Sequence, residues 1–249
     1  MDVMPKWADV VLVPLFSLLL AAFLSALLIL AIGESPSEAL SLMVQGTLLR
    51  SAGWGYMLYY TTNFIFTGLA VSVAFHASLF NIGGEGQAMM GGLGVSLVCL
   101  FIPWPHWSFA IVGASVGAAV FGMICAGLPA YLQAKRGSHI VITTIMFNFI
   151  AAGVLNFFLV GALKPKGSMD PATANFPAST HLPTFEDMAQ LLGFEKMFRS
   201  APANVSFFIA LLACVAVWYL LWRSPLGYEI RALGKSGPAA RYAGVGSVK

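Results

Sequence analysis

Hydrophobic positions along this chain fall in five long runs that hold no Asp, Glu, Lys or Arg: residues 10–33, 51–84, 86–134, 137–163 and 200–222. A helix crossing a bilayer needs about 20 predominantly apolar residues. The first, second, fourth and fifth runs each have room for one such helix. The third has room for two, divided at Pro103-Trp104-Pro105-His106-Trp107, where prolines stop helices and tryptophans favour the membrane interface. The pattern therefore predicts about six spans, at 10–32, 55–75, 87–102, 108–131, 140–160 and 204–221. The third is short, which calls for a tilted helix, or a broken or re-entrant one beside a cavity.

Composition agrees. Hydrophobic residues make up 59% of the 249 and charged residues 9%. Soluble domains carry about 25% charged and about 45–50% apolar residues. This excludes a disordered chain, a nucleic-acid-binding domain and an ordinary soluble enzyme. The predicted fold class is all-α, a polytopic membrane helix bundle in one domain. The first run is too long for a signal-peptide core and lacks a clear small-residue cleavage site, so it is expected to stay as an anchor. Cys99, Cys125 and Cys214 lie in apolar stretches with no metal-ligand spacing, and they are expected to pack as small apolar residues.

The placement of the basic residues predicts the orientation. With the N-terminus in the cytoplasm, the inner segments hold Lys6, Lys135, Arg136, Arg223, Arg231, Lys235, Arg241 and Lys249 against the acids Asp2, Asp9, Glu85 and Glu229. The outer segments hold only Arg50, Lys164, Lys166, Lys196 and Arg199. Both termini are thus expected to be cytoplasmic. Ser35-Pro36-Ser37-Glu38 is expected to start a short outer helix whose apolar face lies on the membrane. Residues 161–203 form a long outer loop rich in Pro, Thr and charge. It suits either a docking surface or a spacer.

The densest polar feature is Asn81-Ile82-Gly83-Gly84-Glu85-Gly86-Gln87. Three glycines around one carboxylate permit a tight turn. Glu85 either completes the first turn of the third span, favouring its dipole, or belongs to a shaped turn lining a path or touching a partner. The glycines do not continue into a dinucleotide fingerprint. Gly113-Ala114-Ser115-Val116-Gly117 matches a nucleophile elbow by letter, but it lies in an apolar helix with no strand before it and is better read as a packing face. Asn63 and Thr67 stand one turn apart in the second span, as do Thr144 and Asn148 in the fifth, with Asn156 further along. Such amides and hydroxyls serve either interhelical hydrogen bonds or a polar lining for a hydroxylated solute. His106, His139 and His181 are expected to be interfacial. After the last span, Ser236 is expected to cap a short helix with Pro238 in its first turn.

Three stretches together resemble one family. They are Gly68-Leu69-Ala70-Val71 through Asn81-Ile82-Gly83-Gly84-Glu85-Gly86-Gln87, then Ile142-Thr143-Thr144-Ile145-Met146-Phe147-Asn148-Phe149-Ile150, then Gly227-Tyr228-Glu229-Ile230-Arg231-Ala232-Leu233-Gly234 through Ala239-Ala240-Arg241-Tyr242-Ala243-Gly244-Val245. The chain resembles the permease subunits of ATP-binding cassette importers in the branched-chain amino acid, ribose and nucleoside superfamily, within the nucleoside ("simple sugar") branch. The resemblance implies uptake of a nucleoside, or of a simple sugar as second choice, across a bacterial inner membrane.

It further implies a pair of ATP-binding subunits, a second permease copy or paralogue, and a periplasmic or lipid-anchored solute-binding protein. The chain itself would need no cofactor and would not be an enzyme, with ATP on the partner. Residues 223–246 would couple to that partner, chiefly through Leu226, Gly227, Arg231, Gly234, Ala239, Ala240, Tyr242 and Gly244. The expected pathway residues are Asn63, Thr67, Glu85, Gln87, Thr144 and Asn148. Ser236 stands where members usually have Asn. Members also continue past the coupling segment into further spans, so a sequence ending at Lys249 is expected to be truncated. The competing reading is an ion-coupled secondary transporter or channel, which needs no coupling segment and often places charges within spans. A membrane-embedded enzyme would need convergent Ser, His, Asp or metal ligands at depth, and the sequence offers no such set.

Overall fold

The computed structural model describes residues 8–193, 198 and 200–246. Lys6, Asp2, Lys196, Arg199 and Lys249, used in the charge argument, lie outside the described residues. Among the described residues the chain is helical, with a single bridge pair, Thr184 to Asn204.

Each run of apolar positions becomes one or more helices. These are α1 (Val13–Ala31), α3 (Ser51–His76), α4 (Gly84–Phe101), α5 (Trp107–Arg136), α6 (Ile140–Val160) and α8 (Ser206–Arg223), with α2 (Pro36–Val44) and α7 (Phe185–Leu191) in the connections. Two short helices close the described chain, α9 (Pro225–Lys235) and α10 (Gly237–Tyr242). Five helices are long and apolar enough to cross a membrane: Val10–Ala31, Ser51–His76, Trp107–Arg136, Ile140–Val160 and Ser206–Arg223. The expected span at 87–102 does become helix, as α4, but it is not among the five. Its first turn holds Glu85 and Gln87, and five of its residues are glycine, which lowers its apolar character. A count of six, and with it the placing of both termini on one side, requires α4 to cross as well.

The caps are local. Ser35 accepts from the Glu38 N–H to start α2, as the sequence suggested. The helix then continues as a π-turn through Gln45–Leu49. Ser224 starts α9 by accepting from the Gly227 N–H, and Ser236 starts α10 by accepting from the Ala239 N–H. α5 outruns its predicted end at residue 131 and stops at Gly137, whose φ of +67° is the left-handed geometry that glycine adopts freely.

Packing centres on α4, which lies against α5 and α6. α4 and α5 cross on Gly94 and Gly117. A Cβ on Gly94 would run into the Gly117 carbonyl, and one on Gly117 would lie 2.9 Å from the Gly94 carbonyl. Small residues of this kind let membrane helices approach closely. This confirms Gly117 as a packing position. Gly113 instead faces the Trp104 ring, which the connection folds back over α5. α3 packs on α8. α1 has no buried residue.

The bundle has two distinct ends. Residues 77–83 meet α9, through Ser78 donating to the Gly234 carbonyl at 2.6 Å, and meet α6, through Thr144. At the opposite end the π-turn lies over Gly53, and Ala201 of the long loop lies against Gly55. Residues 77–83 and α9, predicted inner, thus lie at the end away from the π-turn and Ala201, predicted outer.

The long loop is folded in its described part. Thr184 and Asp187 form a capping box at α7. Phe185 gathers Phe198, Phe207 and Phe208 at centroid distances of 5.6–6.2 Å. Ala201 and Ala203 are buried.

Candidate functional site: the Asn81–Gln87 turn and the α9–α10 segment

Gly83 sits at the N-cap of α4 and has no side chain to satisfy the first free N–H groups of the helix. Side chains from elsewhere do so. Asn148 on α6 accepts from the buried Gly86 N–H at 2.9 Å and donates to the Ile82 carbonyl at 3.0 Å. Thr144, one turn earlier and 2% exposed, accepts from the Ile82 N–H at 3.3 Å and donates to the Ile140 carbonyl at 2.8 Å. Asn81 accepts from the Gly83 N–H at 2.8 Å and from the Gln87 amide at 3.5 Å. One residue of α6 thereby caps a helix more than 60 positions away in sequence.

Gly86 is required by this arrangement, and Gly83 is crowded by the side chains that bond around it. A Cβ on Gly86 would lie 2.8 Å from Asn148 Oδ1 and 2.9 Å from its Cα. One on Gly83 would lie 2.9 Å from Asn81 Oδ1. Gly84 has open space around it. Glu85 is exposed and has no hydrogen-bond or ion-pair partner among the described residues.

The turn is recessed. From the Gly94–Gly117 crossing, α5 continues to Arg136, while α4 runs back only to Gly84. At about 1.5 Å per residue, α5 overshoots the start of α4 by about 14 Å. Asn148 gives the same answer from α6, lying about 12 Å beyond its first residue, Ile140. Glu85 and Gln87 therefore sit a step back from the end of the α5–α6 hairpin.

Of the six expected pathway residues, the structure brings Glu85, Gln87, Thr144 and Asn148 around this one turn. Asn63 and Thr67 are elsewhere, on an exposed face of α3, bonded along their own helix.

The α9–α10 segment is fastened at the same end. Gly227 sits where the chain folds back on α8, and a Cβ there would strike the Leu220 carbonyl. Gly234 packs directly on the His76 carbonyl. Arg231 stands over the Trp222 ring at 4.5 Å and donates to the Gly227 carbonyl at 3.3 Å. His76 meets Trp222 edge-on at 5.9 Å. Ala240 is buried, and Gly244 turns the chain with φ +83°. Leu226, Tyr228, Ala239 and Tyr242 face outward, Tyr242 at 97% exposure. The expected coupling residues thus divide into those that fasten the segment and those that present a surface. Sequence reasoning missed His76, Ser78 and Trp222, which have no local pattern to mark them. It also missed the Ser224-Pro225 start of α9, whose serine-proline order was a readable cap signal.

Residues 53–248 match the family described as the permease component of branched-chain amino acid transport systems. The chain belongs to this permease family. The matched region holds both the recessed turn and the α9–α10 segment. The chain is 29% identical to a glucose ABC transporter permease of Haloferax volcanii over 93% of its own length and 60% of that protein. It is 30% identical to a guanosine ABC transporter permease of Bacillus subtilis, over 97% and 66% respectively. It is 28% identical to a nucleoside ABC transporter permease of Lactococcus lactis, over 94% and 64%. This permease chain therefore spans slightly under two thirds of the length of these relatives. No solved structure matches it.

Proposed function

We propose that the chain is the permease subunit of an ATP-driven importer in a bacterial plasma membrane. Its solute is a nucleoside, with a simple sugar as the second choice. Family membership and the glucose, guanosine and nucleoside permeases among its relatives support the reading. The structural observation that carries it is the α9–α10 segment. It is fastened to α3 and α8 by Gly234, Ser78 and the Arg231–Trp222 stack, yet it leaves Leu226, Ala239 and Tyr242 uncovered at one end of the bundle. A rigidly held, outward-facing surface is what a subunit needs to receive force from a partner.

In this reading that end is cytoplasmic, both termini lie on that side, and α4 is the sixth span. A pair of ATP-binding subunits seats on α9–α10 and holds all the ATP, so this chain catalyses nothing and needs no cofactor. A second permease copy or paralogue completes the pathway, and a periplasmic or lipid-anchored binding protein delivers solute to the opposite end. Glu85 and Gln87 border the pathway on the recessed turn, while Thr144 and Asn148 hold that turn in place.

The test is purification from native membrane in mild detergent, with a mass spectrum of the intact complex and uridine uptake in cells. Co-purification of an ATP-hydrolysing subunit, and uptake lost when that subunit is inactivated, are expected. Uptake that survives its loss overturns the reading in favour of an ion-coupled transporter or channel.

A further inference from the structure

α3 has two faces. One is the more buried, holding Gly55, Leu58, Thr62, Ile65, Leu69 and Ser72 at helical spacing with Thr62 at 7% exposure, on a helix that packs against α8. At 3.6 residues per turn, Tyr56, Tyr60, Asn63 and Thr67 fall together on the opposite face. All four are exposed, Tyr56 at 46% and Tyr60 at 56%. They stand within a charge-free span. An uncovered amide in lipid is costly, so polar side chains in a span normally face protein or water.

At the outer end of this face is a pocket of about 460 Å³ between α3 and the π-turn, lined by Thr47, Gly53, Tyr56, Tyr60, Thr61 and Phe64 among others. That volume is in the range of small-molecule sites. The Tyr60 ring is braced edge-on by Tyr59 at 5.4 Å.

Hydrogen-bonding capacity on the stripe is only partly used. Asn63 spends one amide hydrogen on the Tyr59 carbonyl, and its oxygen has no partner among the described residues. Thr67 donates along its own helix and leaves its oxygen free to accept. Neither the pocket nor the stripe carries an ionised side chain. A nucleotide or a zwitterionic amino acid would find no counter-charge there. A neutral ring bearing hydroxyls would find aromatic faces to stack on and amide and hydroxyl groups to bond.

We propose that the Tyr56–Tyr60–Asn63–Thr67 face of α3 is the solute-contacting stripe, with the pocket under the π-turn as its outer subsite for a neutral hydroxylated ring, a nucleoside before a sugar. This rests on the importer reading above, and deepens it by naming the helix face and the chemistry selected. Tyr60 and Tyr56 stack on the ring. Asn63 and Thr67 take its hydroxyls one and two turns deeper.

The test uses the complete transporter in cells, with labelled uridine, 2′,3′-dideoxyuridine and glucose as probes, and uptake normalised to inserted permease. Tyr60→Ala is expected to raise the uridine KM about tenfold, the effect of one lost base–aromatic stack, with the maximal rate within about twofold. Tyr60→Phe keeps the ring face and is expected to restore KM. Asn63→Leu is expected to lower uridine uptake about tenfold while leaving dideoxyuridine uptake nearly unchanged. Phe66→Ala, exposed on another side of α3, should change neither.

An unchanged uridine KM in both Tyr56→Ala and Tyr60→Ala overturns the proposal. So does a fall in insertion or assembly that Tyr60→Phe does not rescue, since that places lipid or a neighbouring subunit on this face. A wild-type complex that moves none of the probes, or whose uptake survives loss of the ATP-binding subunit, overturns the importer reading and the proposal with it.

Discussion

Asn148→Ala removes the cap of α4 without touching α4 itself. Two long-range hydrogen bonds go, at 2.9 Å from the Gly86 N–H of α4 and 3.0 Å to the Ile82 carbonyl in the connection before it. The losses are unequal. Ile82 is exposed, so its carbonyl finds other partners, and that bond falls in the range of about 0.6 kcal/mol seen on average between membrane helices. Gly86 is buried at the third position of a helix whose N-cap is glycine, so its N–H is left with no acceptor. An orphaned buried donor costs about 1–3 kcal/mol. The total is about 1.6–3.6 kcal/mol, more than tenfold in the folding equilibrium. The assay is reversible unfolding in mixed micelles of a mild detergent and dodecyl sulfate, followed by tryptophan fluorescence. Asn156→Ala, on the same helix and exposed, serves as the control and is expected to change stability by less than about 0.5 kcal/mol. Thr144→Val loses the longer bond from the Ile82 N–H and a donation to Ile140 within its own helix; the N–H released belongs to an exposed residue, so the cost is expected to be smaller. Because both residues hold one turn, the double variant is expected to depart from additivity by at least about 0.5 kcal/mol. A loss for Asn148→Ala no larger than that of the control would refute the capping argument.

Gly86→Ala forces a Cβ within 2.9 Å of Asn148 and is expected to destabilise by about 1–3 kcal/mol, whereas Gly84→Ala meets open space and is expected to be neutral or slightly stabilising; the same unfolding assay separates them. Gly234→Ala drives a Cβ into the His76 carbonyl and should lift α9 off α3; a loss of co-purifying ATP-binding subunit, with monomer stability falling by less than about 3 kcal/mol, is expected. The Asp187 carboxyl lies below its ordinary pKa of 3.8, because the Thr184 backbone N–H, and then the Thr184 hydroxyl, bond to its charged form. Its contribution to the α7 cap is therefore complete above about pH 4 and is lost only as the pH falls through the depressed folded value. Hydrogen exchange over residues 184–191 should show constant protection from pH 7 to 5 once intrinsic rates are removed, and Thr184→Ala should lower it by about 1 kcal/mol.

Most of the architecture was legible because the lipid-facing requirement writes itself into sequence as charge-free runs. α6 occupies 140–160 as predicted. The ends of helices were legible where a serine precedes a proline, as at Ser35 and, one residue removed, at Ser236. The span at 87–102 becomes helix α4 but falls outside the five helices that are long and apolar enough to cross, since a run without ionised residues is not the same as an apolar one when it is rich in glycine. The site was only half legible, and the two polar pairs show why. Asn63–Thr67 and Thr144–Asn148 have the same residue types at the same spacing. One pair is uncovered on α3. The other is consumed in holding a backbone turn that enters from 62 positions away. Local spacing places two side chains on one face, and it does not say what approaches that face. The same holds for the Arg231–Trp222 stack and the Gly234–His76 contact, which exist only once α8 has brought residue 222 beside residue 76.

That juxtaposition gives α3 two contacts with different consequences. Near its first turns it forms the wall of the pocket under the π-turn, and at its last residue it carries the carbonyl on which Gly234 rests. The helix has 26 residues and no proline between those points, so at about 1.5 Å per residue it is a rod of about 39 Å. Packed helices move as bodies and seldom bend. A tilt of α9 imposed by a partner at one end would therefore appear as a displacement of the tyrosine face at the other. α4 is fastened differently, through Asn148 to α6, and α3 and α4 share few contacts. The segment 77–83 between them is the natural place for that relative motion to be absorbed, with Ser78 at φ +55° already in a sparsely populated backbone region. A cross-link that ties residue 78 to residue 234 should then leave coupling intact, because those two already move together. One that ties the pocket wall at Tyr60 to α4 should stop transport while partner binding persists. Equal transport in both cross-linked forms would mean that α3 does not carry the motion.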